Sequence, residues 1–140
     1  MSKGAGFLTF FVLLLAAGCG SEKKSEEGGG AEKECGSAPA TMAGQPTLPA
    51  KFPTPDSVTY TGEKKTGPSS VVSGFRDGDL GDAFDAYKSA FDSAGYQVTH
   101  DEKEEDDAEV NFAGGNSTGQ VKMIQSCKDR TSLAITIRPQ

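Results

Sequence analysis

Apolar residues are distributed along this chain in three ways. They fill one short block from Phe7 to Ala17, almost vanish from Gly20 to Pro55, and recur periodically from there to the end. The periodic part carries the fold. Leu80, Ala83, Phe84, Tyr87, Ala90, Phe91 and Ala94 stand three and four residues apart, the spacing of one helical face. The pattern predicts a helix over Asp79 to Ala94. Asp79 suits the N-cap, Asp82 the positive helix start, and Gly95 the left-handed position that ends a helix. After it the period falls to two, in Tyr96-Gln97-Val98-Thr99-His100, in Ala108, Val110 and Phe112, in Val121, Met123, Gln125 and Cys127, and in Leu133, Ile135 and Ile137. Such alternation marks strands with one buried face. Val58 and Tyr60, then Val71, Ser73 and Phe75, predict an earlier hairpin turning between Gly62 and Pro68. Ala113 to Gly119 and Lys128 to Arg130 read as hairpin loops, and the acidic run Asp101 to Asp107 as a solvated loop.

The predicted order is strand, strand, helix, then a four-strand meander. A two-layer α+β domain follows, an antiparallel sheet with the long helix packed across one face, because that arrangement buries both apolar surfaces. Domain boundaries fall at residues 1–18, 19–55 and 56–140. The last is one small domain of about 85 residues, marginal for a single core, where a covalent staple helps most. Its passage Ala86-Tyr87-Lys88-Ser89-Ala90-Phe91-Asp92-Ser93-Ala94-Gly95-Tyr96-Gln97-Val98 resembles small uncharacterised exported bacterial domains, in which a Tyr-Lys helix ends at Gly before an aromatic strand. The resemblance spans about 60 residues and implies a similar fold without an activity.

The N-terminal block, Phe7 to Ala17 behind Lys3, closes on Ala16-Ala17-Gly18-Cys19. Small residues before a cut and a cysteine just after it supply a cleavage site and a thiol for diacylglycerol attachment. The block resembles a bacterial lipoprotein signal peptide. That resemblance implies removal of residues 1–18, lipidation of Cys19, and an extracytoplasmic location on the bacterial membrane or envelope. A transmembrane anchor is the alternative, but about ten apolar residues reach only about 15 Å as a helix, half of a ~30 Å hydrocarbon core. From Gly20 to Pro55 the chain is rich in Gly, Ser, Glu, Lys, Ala and Pro. Such a segment buries too little to offset its ordering entropy and is expected to act as a flexible tether, about 30 to 35 Å in root-mean-square span.

Loss of Lys3 with the signal segment leaves 13 basic and 20 acidic side chains, a net charge of −7. Nucleic acid is excluded as an expected partner, since phosphate backbones need clustered Lys and Arg, and Arg76, Arg130 and Arg138 fall in separate predicted elements. Anionic headgroups do not attract this charge either, so membrane attachment rests on acyl chains at about 0.8 kcal/mol per buried CH₂. With Cys19 assigned to lipid, Cys35 and Cys127 remain as an even pair in an oxidising compartment. A disulfide is expected; two free thiols are the alternative. Closing about 90 residues, the bond would stabilise the fold by roughly 4 to 5 kcal/mol in the chain-entropy view.

No catalytic residue, metal ligand or cofactor site is expected. Asp77-Gly78-Asp79-Leu80-Gly81-Asp82 has alternating carboxylates but lacks the Asp-Gly order of a calcium loop, and Lys88 stands where its bidentate glutamate belongs; helix capping explains it more simply. His100, the single histidine, has no nucleophile in a recognisable turn to serve. Asn116-Ser117-Thr118 matches a glycosylation triplet of the eukaryotic secretory route. The acidic run offers a surface for a basic partner, and Tyr60, Phe75 and Tyr96 could line a pocket between helix and sheet. The expected function is a nonenzymatic envelope lipoprotein that binds a protein or an envelope polymer. A carrier of a small apolar ligand held between helix and sheet, and a small hydrolase, are the alternatives.

Overall fold

Strands formed by this chain are longer than their apolar alternation, and the turns between them are correspondingly tight. The computed structural model describes residues 33–140. Residues 1–18, expected to be a signal peptide, and Cys19 lie outside the described residues. Six strands, β1 (Val58–Thr66), β2 (Ser69–Asp77), β3 (Gln97–Lys103), β4 (Asp107–Gly114), β5 (Ser117–Cys127) and β6 (Arg130–Pro139), join one helix, α1 (Leu80–Ala94), which follows β2. All strand pairs are antiparallel and the sheet order is β1-β2-β6-β5-β4-β3. The α+β class is as expected. The detail departs from the expected meander under a long helix: the sheet runs continuously through six strands, and the 15-residue helix packs mainly on β3 to β6, leaving β1 and β2 to another cover.

Two expected loops are mostly strand. Ala113 and Gly114 end β4 and Ser117 to Gly119 begin β5, so the turn between them is Gly115 and Asn116, both at φ 57°. Positive φ at both positions gives a two-residue turn whose twist matches the flanking strands. Asp101 to Lys103 continue β3, and Asp107 starts β4. Charged side chains there remain exposed or half-buried, so they keep their water while the backbone pairs.

Helix α1 starts and stops on local chemistry. Asp79 is extended, and its carboxylate accepts the Asp82 N–H at 2.9 Å. Gly95 takes φ 75°, with Gly95 N–H donating to the Asp92 carbonyl and Tyr96 N–H to the Phe91 carbonyl, closing the last turn. The first turn is also pinned to the sheet. Buried Gln125 accepts the Leu80 N–H on Oε1 at 2.5 Å and donates from Nε2 to the Cys127 carbonyl at 2.6 Å, while Thr131 Oγ1 donates to the Gly78 carbonyl. An apolar residue at 125 would leave an orphan donor at the helix start.

Strand register lines up Val72, Ile135, Val121 and Val110 across the sheet, all fully buried on the helix side. Leu80, Ala83, Phe84, Tyr87 and Phe91 come down on that face. Phe91 stacks on Phe112 with ring centroids 4.9 Å apart. Gly119 lies opposite Phe112, and a Cβ there would stand 2.6 Å from its ring, so the missing side chain makes room for the aromatic one. Lys88 lies off the buried stripe of α1. It flanks the interface, 5.0 Å over the Phe84 ring and 2.7 Å from Asp101.

Residues 33–55 have no helix or strand, as their composition predicts, yet they contribute to the core. Leu48 and Phe52 pack against it, and Phe52 meets Phe91, Tyr96 and Phe112 edge-on at 5.3 to 5.9 Å. Met42 N–H donates to the Tyr60 carbonyl at 2.9 Å, Thr47 N–H to Glu63 Oε2 at 3.0 Å, and Tyr96 Oη to the Ala50 carbonyl at 3.0 Å. Residues 41–54 thus form a strap beside β1, completing the cover that α1 begins.

Truncating Phe91 to Ala removes a ring that three elements share and should cost about 3 to 5 kcal/mol, whereas Ile124→Ser, on the solvent face at 45% exposure, should stay within about 0.5 kcal/mol. Urea midpoints of the two variants against the parent chain check the assignment of faces. Phe52→Ala should resemble Phe91→Ala in sign, because Phe52 belongs to the same cluster.

Candidate functional site

Cys35 and Cys127 come together with Cα atoms 5.1 Å apart, at disulfide distance across 92 residues. Three hydrogen bonds to the residues around it hold Cys35 there. Lys128 N–H donates to the Lys33 carbonyl at 2.8 Å, and Arg130 Nη1 donates to the Gly36 carbonyl at 3.2 Å and to that of Ser37 at 3.4 Å. The Arg130 guanidinium also lies 5.2 Å over the Phe75 ring, and Asp77 stands 3.9 Å from its Nε. Phe75 points away from α1, paired with Ser132, and this cluster buries it to 6% exposure.

Of the three aromatic residues expected around a helix–sheet pocket, none lines one there. Phe75 is on the other face, Tyr96 is buried in the aromatic cluster, and the space between helix and sheet is filled by Tyr87, Phe91, Phe112 and Met123. Tyr60 lines a cleft elsewhere, between the strap and β1. The cleft has a volume of about 480 Å³, and Met42, Leu48, Thr54 and Val58 are among its walls. Thr54 Oγ1 and Tyr60 Oη share a hydrogen bond at 3.0 Å. A smaller cleft of about 270 Å³ lies at the other end of the strap, between Leu48 and Pro49 and the Gly67-Pro68 turn.

Tyr87 is fully buried, and its hydroxyl has no hydrogen-bonding partner among the described residues. Desolvation drives its ionisation far above the ordinary tyrosine range, and Tyr60 nearby adds to the shift while Arg76 opposes it. Burial also raises Tyr60, with the Thr54 hydrogen bond opposing, and raises Tyr96. The backbone N–H of Thr47 holds Glu63 below the usual carboxylate range. On the solvent face Glu109 and Asp107 raise Lys122, which lies 3.2 Å and 3.5 Å from them.

The remaining candidates stay apart. His100 is 64% exposed, and its nearest charged group is Glu102 at 3.9 Å. Asp79 caps the helix, and among the described residues no three His, Cys, Asp or Glu side chains converge on a metal-sized site. No helix among the described residues is long and apolar enough to cross a membrane. Sequence reasoning missed the strap. Its one signal was Phe52, the sole aromatic residue between Phe11 and Tyr60. In comparisons with known proteins, the chain matches no family model, no curated protein and no solved structure.

Removing the bond by Cys127→Ala should cost about 2 to 5 kcal/mol, read as a shift of the urea midpoint that added reductant reproduces in the parent and not in the variant. The tyrosines set a second expectation. Their ionisation is raised in the fold and returns to about 10 on unfolding, so their contribution is complete below pH about 10 and is lost as pH climbs past it. Phenolate absorbance should therefore appear together with loss of near-ultraviolet circular dichroism, and Tyr87→Phe should move that alkaline transition upward.

Proposed function

We propose that this chain is a lipid-anchored extracytoplasmic protein of the bacterial envelope whose folded part acts by binding and performs no turnover. The observation that carries the reading is the Cys35–Cys127 pair at bonding distance, which suits an oxidising compartment and agrees with the export that the block ending at Cys19 implies. Binding is the better description because catalysis needs titratable groups positioned on one enclosed substrate, and the groups that do stand side by side, His100 with Glu102 and Lys122 with Glu109 on adjacent strands, lie on the open solvent face of the sheet, apart from the capping aspartates. In this reading Cys19 carries the anchor, and the folded part behind it is the binding module.

The partner class of the main reading is a protein or an envelope polymer. The second reading, a carrier of a small ligand, gains support from the cleft under the strap, which replaces the helix–sheet space first considered for it.

Cys19→Ser should abolish incorporation of labelled palmitate and move the protein from the detergent phase to the aqueous phase. Retention of the variant in the detergent phase at mature size would contradict the lipid anchor. Crosslinking in native membranes, comparing the parent with a chain neutralised at Glu104, Glu105, Asp106 and Asp107, tests whether the acidic turn takes part in partner binding.

A further inference from the structure

We infer that the cleft between the strap and β1 is a binding site for a small uncharged molecule with an apolar body and a hydrogen-bonding group. Its size, about 480 Å³, lies within the range of ligand pockets, roughly 300 to 1,000 Å³. Its walls carry no Lys, Arg, Asp or Glu side chain. Met42, Leu48 and Val58 offer apolar contact, while Thr41, Thr54 and Tyr60 offer hydroxyls that donate or accept. A charged ligand would surrender hydration there without a counter-ion, whereas a neutral one with a carbonyl or hydroxyl meets both parts of the lining.

The build of the strap suits such a site. It is fixed beyond one end by the bond at Cys35 and near the other by Phe52 in the aromatic cluster. Between those points the Met42–Tyr60 and Thr47–Glu63 hydrogen bonds hold it beside β1. The wall is thus tied at its ends and along β1, while the Met42 side chain, unbranched and polarisable, can fit differing shapes. The half-buried Tyr60 hydroxyl has one side-chain hydrogen bond among the described residues, to Thr54, so it keeps capacity to bond a ligand at this end of the cleft.

Benzophenone is a suitable probe, being neutral, aromatic and equipped with one carbonyl acceptor. The full chain in mild detergent is irradiated with increasing benzophenone and the adducts are located by peptide mass spectrometry. Adducts should concentrate on Met42, Leu48 and Val58, saturate with concentration, and fall at least tenfold in Thr41→Trp and Val58→Trp, which fill the cleft from its two walls. 4-Benzoylbenzoate, the same body with a carboxylate, should label those positions at least tenfold less. Labelling that never saturates and spreads to Ile124 on the solvent face, or that persists in both tryptophan variants with native circular dichroism, overturns the site. Equal labelling by the carboxylate overturns the ligand class. Cys19→Ser protein should label like the parent, so failure of the lipid anchor and failure of the cleft are read separately.

Discussion

One aromatic contact set closes this fold. Phe91 from the helix, Phe112 from the sheet, Tyr96 from the segment between helix and β3, and Phe52 from the strap meet within 6 Å of one another. A sheet this wide cannot be covered by one helix of 15 residues. The uncovered half would expose apolar surface, and at about 25 cal/mol per Å² even a few hundred square ångströms is a large share of what a small domain has to spare. The strap closes that half, and Phe52 makes its closure cooperative with the packing of the helix.

Polar groups decide the geometry that the aromatic contacts then fill. Gln125 is the clearest case, since its single amide joins the start of α1 to the β5–β6 turn. Arg130 does the same on the opposite face, where its planar guanidinium covers Phe75 and reaches the carbonyls beside Cys35. The Gln125 bonds are buried, so each loses to water only if the surrounding element opens, whereas the Arg130 bonds to the Cys35 segment lie at the surface.

The helix was legible in the sequence to within a residue, because capping and periodicity agree at Asp79, Phe84, Phe91 and Gly95. Strand positions were legible and strand ends were not. Alternation signals which residues are buried, while the ladder continues through polar residues such as Asp101, Glu102 and Ser117 that the pattern counts as loop. The strap was illegible for a different reason. Its composition predicts absence of regular structure correctly, and packing of an irregular segment depends on a few residues whose contacts are all distant in sequence. For the candidate site, the pairing of Cys35 with Cys127 followed from counting cysteines. The cleft at Tyr60 did not follow, because one of its walls is that strap.

The bond at Cys35 also determines how tension travels through the molecule. A pull on the chain ahead of Cys35 passes through the two sulfur atoms into the end of β5, which is hydrogen-bonded along both sides by β4 and β6. The strap, held by a few hydrogen bonds and one ring, is bypassed. Without the bond the same pull would peel residues 41–54 away first and uncover Phe91 and Phe112. The disulfide therefore acts as a strain relief, delivering load to a strand paired on both sides within the sheet.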